Sequence, residues 1–299
     1  MSATTTTRRT ATSAPPSPQP RRRGRRERRE RRNWLAGLSG WIWLAVIILP
    51  IYYVVITSFK NQAGFFSSNP LLPTLEPTFD NYALVLNAGF TIYLANSLIV
   101  TIGAVVPALL VSFMAAYAIV RGRGRFISFT STVFLMGLAI PLQATIVPIY
   151  LIITKMGLYD SLLALILPSA AFALPISVLI LSNFMRDIPS ELFESMRLDG
   201  ASNWSILWHL VLPMTRPAVV TVGIYNALQV WNGFLFPLIL TQSPDKRVLP
   251  LSLWAFQGEF SVNVPAILAS VVLSTIPLLV VYIFGRRQLL GGLTAGFSK

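Results

Sequence analysis

Six stretches without a charged side chain dominate the pattern of the sequence. Each holds at least 25 residues rich in Leu, Ile, Val, Phe and Ala, and none alternates apolar with polar residues as a membrane β-strand does. About 20 apolar residues in a helix cross the hydrocarbon layer of a bilayer. The pattern therefore predicts an all-α polytopic membrane protein with six transmembrane helices, in the windows 33–59, 81–120, 126–154, 161–185, 217–244 and 260–285.

The connections between these windows carry two further predictions. Residues 200–215 also lack charge, but the gap is short and contains Ser202, Asn203 and His209, so it is not counted as a span. Asp80 is a suitable N-cap for a short helix that leads into the second window.

The basic residues predict which side of the membrane each connection faces. With the N-terminus in the cytoplasm, the cytoplasmic segments are 1–32, 121–125, 186–216 and 286–299, and they hold 20 of the 24 Lys and Arg residues. The reverse orientation would place this excess outside, against the bias of membrane proteins for basic residues in cytoplasmic connections. We therefore expect both termini in the cytoplasm.

Composition excludes several classes of protein. Only 12% of the residues are charged and the mean hydropathy is +0.63, which is unlike a water-soluble enzyme. There is no cysteine and only one histidine, so disulfides, thiolate sites and a multi-histidine metal site within one chain are excluded, and no metal site is expected.

The net charge of +13 comes mainly from one segment. Residues 1–33 contain 11 Arg and two Glu, and they are predicted to form a disordered, Arg-rich cytoplasmic tail ahead of a six-span domain, 34–299. Arginine before a first span is sufficiently explained as a topology anchor. An arm that binds nucleic acid or anionic lipid is the alternative.

The loop 186–217 is longer than a connection between neighbouring spans needs to be. Pro189 and Ser190 suit a helix start, Gly200 suits a left-handed helix end, and Ser202 can cap a second helix that runs until Pro213. The first helix carries an apolar patch, formed by Leu192, Phe193 and Met196. This patch could dock into a partner's groove or rest on lipid headgroups.

The spacing within this loop resembles the cytoplasmic motif of bacterial ABC importer permeases. Glu194, Gly200, Leu210, Leu212 and Pro213 occupy the matching positions, and Ser195-Met196 replaces the usual Ala-Ala pair. Further segments are similar to the smaller, second permease subunit of the maltose-type, carbohydrate-importing family. These are Ile188-Pro189-x-Glu191-Leu192, Asp199-Gly200-Ala201, Asn96-Ser97-Leu98, Trp231-Asn232-Gly233-Phe234 and Gly292-Leu293-Thr294-Ala295-Gly296.

The resemblance implies a function and a set of partners. The chain would be the inner-membrane permease subunit of an importer for a sugar, a di- or oligosaccharide, with a permease core at about 92–286. It would pair with a second permease subunit, two copies of an ABC ATPase subunit and an extracytoplasmic solute-binding protein. ATP and Mg²⁺ would bind to the ATPase, so this chain would be no enzyme and hold no cofactor; consistently, it contains no P-loop sequence.

The same resemblance assigns roles to individual residues. The loop 186–217 would form a coupling helix against the ATPase, and the C-terminal tail 286–299 would reach the ATPase as well. The coupling residues would be Glu194, Ser195, Met196, Asp199, Gly200, Ala201 and Pro213. The C-terminal contact would consist of Leu293, Thr294, Ala295 and Gly296.

Neutral polar residues in and beside the spans are the candidates for the substrate path. Amides beside aromatic rings suit a hydroxyl-rich neutral solute, although amides also join neighbouring helices. The candidates are Asn96, Gln143, Asn226, Gln229 and Asn232.

Three alternatives to a sugar importer stay open at this point. The first is an ABC permease for another small solute. The second is a single-chain secondary transporter, which would need inverted repeats or ionisable residues in the spans. The third is a membrane-tethered scaffold whose Arg-rich tail binds nucleic acid, which leaves the 186–217 motif without explanation.

Overall fold

Helices make up nearly all of the regular structure in the computed structural model, which describes residues 34–257 and 262–295. Within these residues the only β feature is one bridge between Gln257 and Val262. The chain divides into two compact units, residues 1–47 and 48–299, and the packing described below belongs to the second.

The helices follow one another with short connections. They are α1 Trp34–Ser58, α2 Gln62–Ser67, α3 Asp80–Val85, α4 Thr91–Arg121, α5 Arg125–Gly137, α6 Ile146–Lys155, α7 Leu162–Arg186, α8 Ser190–Leu198, α9 Asn203–Ile206, α10 Leu212–Trp231, α11 Leu235–Leu240, α12 Leu249–Ser252 and α13 Val264–Ala295. π-Helical segments Leu86–Phe90 and Leu207–Val211 join α3 to α4 and α9 to α10.

The membrane-spanning capacity of these helices agrees in part with six spans. Within the described residues, four helical runs are long and apolar enough to cross a bilayer: Gly37–Ser58, Asp80–Arg121, Leu162–Arg186 and Asn203–Trp231. If the bent pair Arg125–Gly137 and Leu142–Lys155 forms one span, the number rises to five. Val264–Val280, the first part of α13, is a shorter apolar helical stretch. Six spans with both termini in the cytoplasm therefore stay a prediction.

The window 126–154 is not the single straight helix that we expected. α5 ends at Gly137, and the helical run Leu142–Lys155 leaves at an angle of 99° to it. Pro141 explains the break, because its backbone is extended and a proline cannot continue the hydrogen-bond ladder of a helix.

The helix of the fifth window begins before the window does. A continuous helical run covers Asn203–Trp231, so the prediction that the second loop helix ends at Pro213 is wrong. The π-helical turn provides the reason. The amide of Leu212 donates to the carbonyl of Leu207, five residues back, and this shift admits Pro213, which has no amide hydrogen to donate.

The start of α3 also differs from the expectation. Phe79 holds the N-cap position without a side-chain hydrogen bond, and Asp80 is the first helical residue, whose amide donates to the Thr78 hydroxyl at 3.1 Å.

The core of the second unit is a bundle of α4, α7 and α10. Near the start of α4, Val100 packs with Leu165 of α7, and further along Phe113 packs with Leu181, so α4 and α7 run in the same direction. Gly103 allows their close approach, because a Cβ there would lie 2.9 Å from a side-chain carbon of Ile166.

Polar side chains fix the connection between α1 and α3. Asn81 is buried and its amide donates to the carbonyls of Ser58 and Lys60, both at 2.8 Å. Lys60 is almost fully buried, and its ammonium group donates to the Asn69 carbonyl at 2.8 Å and to the Ser68 hydroxyl at 3.1 Å. These bonds tie the end of α1 to the segment that leads into α3.

Candidate functional site

The segment from α8 to α9 has the helix–corner–helix geometry that the sequence predicts. α8 begins after Pro189 and its C-cap is Asp199. Gly200 takes the left-handed conformation, with φ at +78°, and its amide donates to the Arg197 carbonyl at 3.0 Å. The Ala201 amide donates to the Met196 carbonyl at 2.9 Å, which completes a Schellman motif.

The second helix of this segment starts as predicted. The Ser202 hydroxyl accepts a hydrogen bond from the Ser205 amide at 3.2 Å and so caps α9. The corner between α8 and α9 is therefore held by backbone and cap hydrogen bonds of its own.

The apolar patch on α8 is not a single exposed surface. Phe193 is 1% exposed and lies in the core cluster with Ile206, and Met196 packs against the same cluster. The Arg121 guanidinium, at the end of α4, stands 3.9 Å from the centre of the Phe193 ring, within the range of a cation–π contact. α8 is thus anchored to the bundle through the residue predicted to face a partner or lipid.

The face of α8–α9 that remains open is made of other residues. Glu194 is exposed, and so is Ser195, whose hydroxyl donates to the Leu192 carbonyl of its own helix at 3.0 Å. Leu198 is 90% exposed and Trp204 is 58% exposed. Sequence reasoning missed the last two, although an apolar residue directly before Asp199-Gly200 could have drawn attention to Leu198.

The remaining predicted coupling residues frame this face. Asp199 is exposed at the C-cap, and Ala201 is half-buried against the core cluster. Pro213 lies in the first turn of α10 and is exposed. Leu293, Thr294 and Ala295 belong to the last turn of α13, and Gly296 lies outside the described residues.

A cavity of about 350 Å³ lies among α4, α7, α10 and α11. Its size is within the range of small-molecule sites. No charged side chain is among its lining residues; they include the amides of Asn226 and Gln229, the hydroxyls of Ser97, Ser169 and Tyr225, and the rings of Phe172, Trp231, Phe234 and Phe236.

Two of the predicted amides, Asn226 and Gln229, line this cavity, and they differ in exposure and in hydrogen bonding. Asn226 is buried and its amide donates to the Ser177 hydroxyl at 2.7 Å, which joins α10 to α7. Gln229 is exposed, so its amide is the more accessible of the two to a solute.

The other three predicted amides lie outside this cavity. Asn96 donates to the carbonyls of Asp245 and Arg247, both at 2.8 Å, and so holds the connection after α11. Asn232 lines a second cavity of about 320 Å³ beyond Trp231, and its amide donates to Leu228 O at 2.8 Å. Gln143 is exposed in the short turn Leu142–Thr145.

A carboxylate clamp closes the end of the bundle beside α11. Asp160 has a left-handed backbone, with φ at +59°, and its carboxylate accepts from the amides of Gln242 and Ser243 at 2.8 and 3.0 Å and from the Ser243 hydroxyl. The Ser243 hydroxyl and these two amides hold the pKa of Asp160 below its ordinary value. Sequence analysis did not single out this residue.

Within residues 34–257 and 262–295, no group of three His, Cys, Asp or Glu residues is placed to hold a metal ion.

Comparisons with known proteins connect this geometry to transport. The family described as "Binding-protein-dependent transport system inner membrane component" matches residues 108–289. The ABC transporter permease protein ORF2 of Caldicellulosiruptor sp. (strain Rt8B.4) is 40% identical over 86% of this chain and 94% of its own. The diacetylchitobiose uptake system permease protein NgcG of Streptomyces coelicolor is 33% identical over 85% of each chain.

A solved structure shares the fold. A chain from the crystal structure of a bacterial ABC transporter involved in the import of the acidic polysaccharide alginate superposes with a TM-score of 0.74 at 24% identity, over 85% of this chain and 95% of that one. Together these findings confirm the resemblance that the loop and end motifs indicate.

Proposed function

Because the chain belongs to the family of binding-protein-dependent transport system inner membrane components, we propose that it carries a sugar, a di- or oligosaccharide, across the cytoplasmic membrane. It is a multi-pass membrane protein and a transport subunit of the ABC type. The observation that carries the sugar assignment is the 350 Å³ cavity, whose amides, hydroxyls and aromatic rings suit a neutral hydroxyl-rich solute.

One relative supports the same class of substrate, since NgcG is named for the uptake of diacetylchitobiose. Since the lining of the cavity contains no charged side chain, the solute is held by hydrogen bonds and ring stacking rather than by ion pairs. A different small neutral solute is the alternative, and a transport assay with a panel of sugars distinguishes the two.

For the topology we propose six spans with both termini in the cytoplasm. Twenty of the 24 basic residues then lie on the cytoplasmic side. The common direction of α4 and α7 supports this arrangement, because the intervening chain must return once, through the bent pair α5 and Leu142–Lys155. We propose that 1–33 is a cytoplasmic tail and 34–299 the permease domain.

The proposed partners are a second, different permease subunit, two copies of an ABC ATPase subunit and an extracytoplasmic solute-binding protein. The ATPase copies would bind ATP and Mg²⁺. The open face of α8–α9 is our proposed contact with the ATPase, since it combines the carboxylate of Glu194 with exposed Leu198 and Trp204 on a rigid corner.

The other residues of the contact follow from this placement. Ser195, Asp199 and Gly200 border the open face, whereas Met196 and Ala201 support it from the core side and Pro213 sets the start of α10. Leu293, Thr294, Ala295 and Gly296 are proposed as a second contact with the ATPase at the C-terminus.

In the substrate path we propose a direct role for Gln229 and a supporting role for Asn226, whose bond to Ser177 shapes the wall of the cavity. Asn232, in the adjacent 320 Å³ cavity, and Gln143, next to the lining residue Leu142, are proposed to lie along the same route. Asn96 is proposed to position the connection that holds Val248, another lining residue.

Co-purification tests the ATPase contact. The tagged chain is isolated from native membranes in mild detergent, and its partners are identified by mass spectrometry. A Glu194→Ala, Leu198→Ala double variant is expected to lower ATPase recovery by about tenfold or more, as truncation of interface hot spots does. Glu76→Ala, a change of an exposed carboxylate far along the chain, is the control. Unchanged ATPase recovery in the double variant would overturn the contact.

Uptake of labelled sugars tests the cavity. Gln229→Ala is expected to raise the KM for a di- or oligosaccharide by about fivefold, the effect of losing one hydrogen bond of roughly 1 kcal/mol. Thr221→Ala is the control, because Thr221 lies on the same helix outside the cavity lining. Uptake of charged or apolar solutes with no uptake of any sugar would contradict the sugar assignment.

A further inference from the structure

A polar cavity of about 340 Å³ lies apart from the cavities described above, between the loop after α4, the first turns of α5 and the end of α7. Its lining combines two arginines with three hydroxyl-bearing side chains and two glycines. These residues are Arg123, Arg186, Ser128, Ser131, Thr132, Gly122 and Gly124, with Ile119 and Ile127 at the edges.

The lining is positively charged and rich in hydrogen-bond donors. Each arginine carries five N–H donors and stays protonated at any physiological pH. Ser128 and Ser131 add hydroxyls, whereas the hydroxyl of Thr132 donates to the Ser128 carbonyl at 3.0 Å. Gly124, the N-cap of α5, makes no side-chain cap bond, so the first amides of this 13-residue helix are not capped by a side chain.

The surroundings keep this cavity positive. Arg121 and Arg125 flank the loop with two more positive charges, and the nearest acidic residue along the chain is Asp187, directly after Arg186. Phosphate and carboxylate groups match such arginine forks, and phosphates do so with the larger charge.

One face of α5 beside the cavity is apolar and open. Phe126, Phe129, Val133 and Met136 are all exposed, and their spacing places them along one side of the helix. Ser128, Ser131 and Thr132 occupy the other side, towards the cavity. A ligand that uses both features carries an anionic group next to long apolar chains.

We propose that this cavity binds the phosphate group of an anionic phospholipid whose acyl chains leave across the apolar edge of the cavity, past Ile127, to reach the apolar face of α5. Basic pockets beside membrane helices on the cytoplasmic side are suited to such headgroups. Free phosphate satisfies the arginines but leaves the apolar face unused. The proposal goes beyond sugar transport, and it rests on the proposed topology for the leaflet from which the lipid comes.

The site lies at the base of the segment that leads to α8. Arg186 is the last residue of α7, and α8 starts four residues later at Ser190. On the other side of the loop, Arg121 contacts Phe193 of α8. A bound headgroup is therefore next to both chain segments that hold α8 on the bundle.

Competitive lipid binding tests the proposal. The purified full transporter is incubated with equal amounts of phosphatidylglycerol and phosphatidylcholine, and retained lipids are counted by native mass spectrometry. The wild type is expected to retain phosphatidylglycerol preferentially. Arg123→Gln combined with Arg186→Gln should weaken this binding by about 25-fold, since each arginine near a charged lipid surface contributes roughly a factor of five.

Two further variants keep the result interpretable. Arg216→Gln removes an exposed arginine of the same predicted membrane side that lies outside the cavity, and it should leave the preference unchanged. Ser128→Asp places a carboxylate inside the cavity at an exposed position, and it should abolish the preference by repelling the phosphate.

Three outcomes would overturn the proposal. These are equal retention of both lipids by the wild type, equal losses in Arg216→Gln and in the double variant, and displacement of the lipid by millimolar inorganic phosphate, which would identify a soluble anion as the ligand. Lipid retention can also be measured on the full chain without its partners, whereas sugar uptake needs the whole transporter. A wrong sugar assignment would therefore change the uptake result alone, and a wrong lipid site would change the retention result alone.

Discussion

The two ends of the α4–α7–α10 bundle are held together by different kinds of interaction. At the end where α4 and α7 finish, α8 and α9 attach through buried apolar side chains, among them Phe193 and Ile206. At the end where α4 and α7 begin, the connections pack apolar side chains as well, such as Leu240 and Val248. Here, however, polar side chains also bond to backbone groups, as Asn96 and Asp160 do.

The difference suits the two ends to different tasks. Apolar packing is non-directional, so a helix held by it can shift slightly without losing its contacts at once. Hydrogen bonds from a side chain to two backbone groups lose most of their energy when the angle changes, so they fix one arrangement. We expect the α8–α9 end to transmit movement and the opposite end to keep its geometry.

The largest expected effect of breaking this contrast is at Phe193. Phe193→Ala removes a fully buried ring, and we expect a loss of about 3–5 kcal/mol in the stability of the bundle. Denaturant unfolding of the purified chain in detergent measures it. The neighbouring Leu192→Ala is the control, because Leu192 is more than a third exposed and should cost well under half as much. Equal losses would show that α8 is not anchored through its buried face.

A smaller effect is expected at the polar end. Asp160→Asn keeps the shape of the side chain and removes its charge, so the amides of Gln242 and Ser243 should exchange about fivefold faster, after allowance for solvent screening. Hydrogen exchange followed by mass spectrometry reads this change. A corresponding change in exchange at α8 would contradict the independence of the two ends.

The pH dependence of the clamp sharpens the same test. Because the pKa of Asp160 is lowered in the folded protein, its stabilising contribution is present above the ordinary Asp pKa of about 3.9 and is lost only as the pH falls through the lowered folded value. Exchange at Gln242 and Ser243, corrected for the intrinsic effect of pH, should therefore be the same at pH 7 and at about pH 5. Faster corrected exchange at pH 5 than at pH 7 would show that the carboxylate is not what holds the loop.

The smallest expected effect is at Arg121. Arg121→Gln removes the charge above the Phe193 ring, which contributes roughly 0.5–1 kcal/mol at a partly exposed site. Unfolding measurements on this variant and on Arg121→Lys compare a lost cation with a retained one. Recovery of stability in the lysine variant is the expected result, and equal losses in both would assign the effect to packing of the long side chain.

The sequence predicted the local features of the α8–α9 segment well. Gly200 and Ser202 act at positions where the chain alone determines the requirement, namely a left-handed residue and a cap, so single residue types reveal them. The charge-free windows located the helices for a similar reason, since exclusion of charge is a property of each segment by itself.

Features that depend on pairs of distant residues could not be predicted. Phe193 looked like a surface residue, because the cavity it fills is built by α4, α7 and α9. Asp160 carries no motif, and its role becomes visible only when α11 brings Gln242 and Ser243 beside it. The continuity of the helix through Pro213 was also missed, because a proline normally ends a helix. Only the observed π-helical turn allows the helix to continue through this proline.

The π-helical turn Leu207–Val211 also determines which side of α10 each of its residues faces. A π-helical turn holds one residue more than an α-helical turn, and one residue corresponds to about 100° of rotation around a helix axis. Deleting a single residue within Leu207–Val211 would leave the composition of α10 intact and turn Asn226 and Gln229 away from the cavity they line. Access of a solute to these amides therefore depends on a surplus residue some twenty positions earlier, at the base of the segment proposed to contact the ATPase.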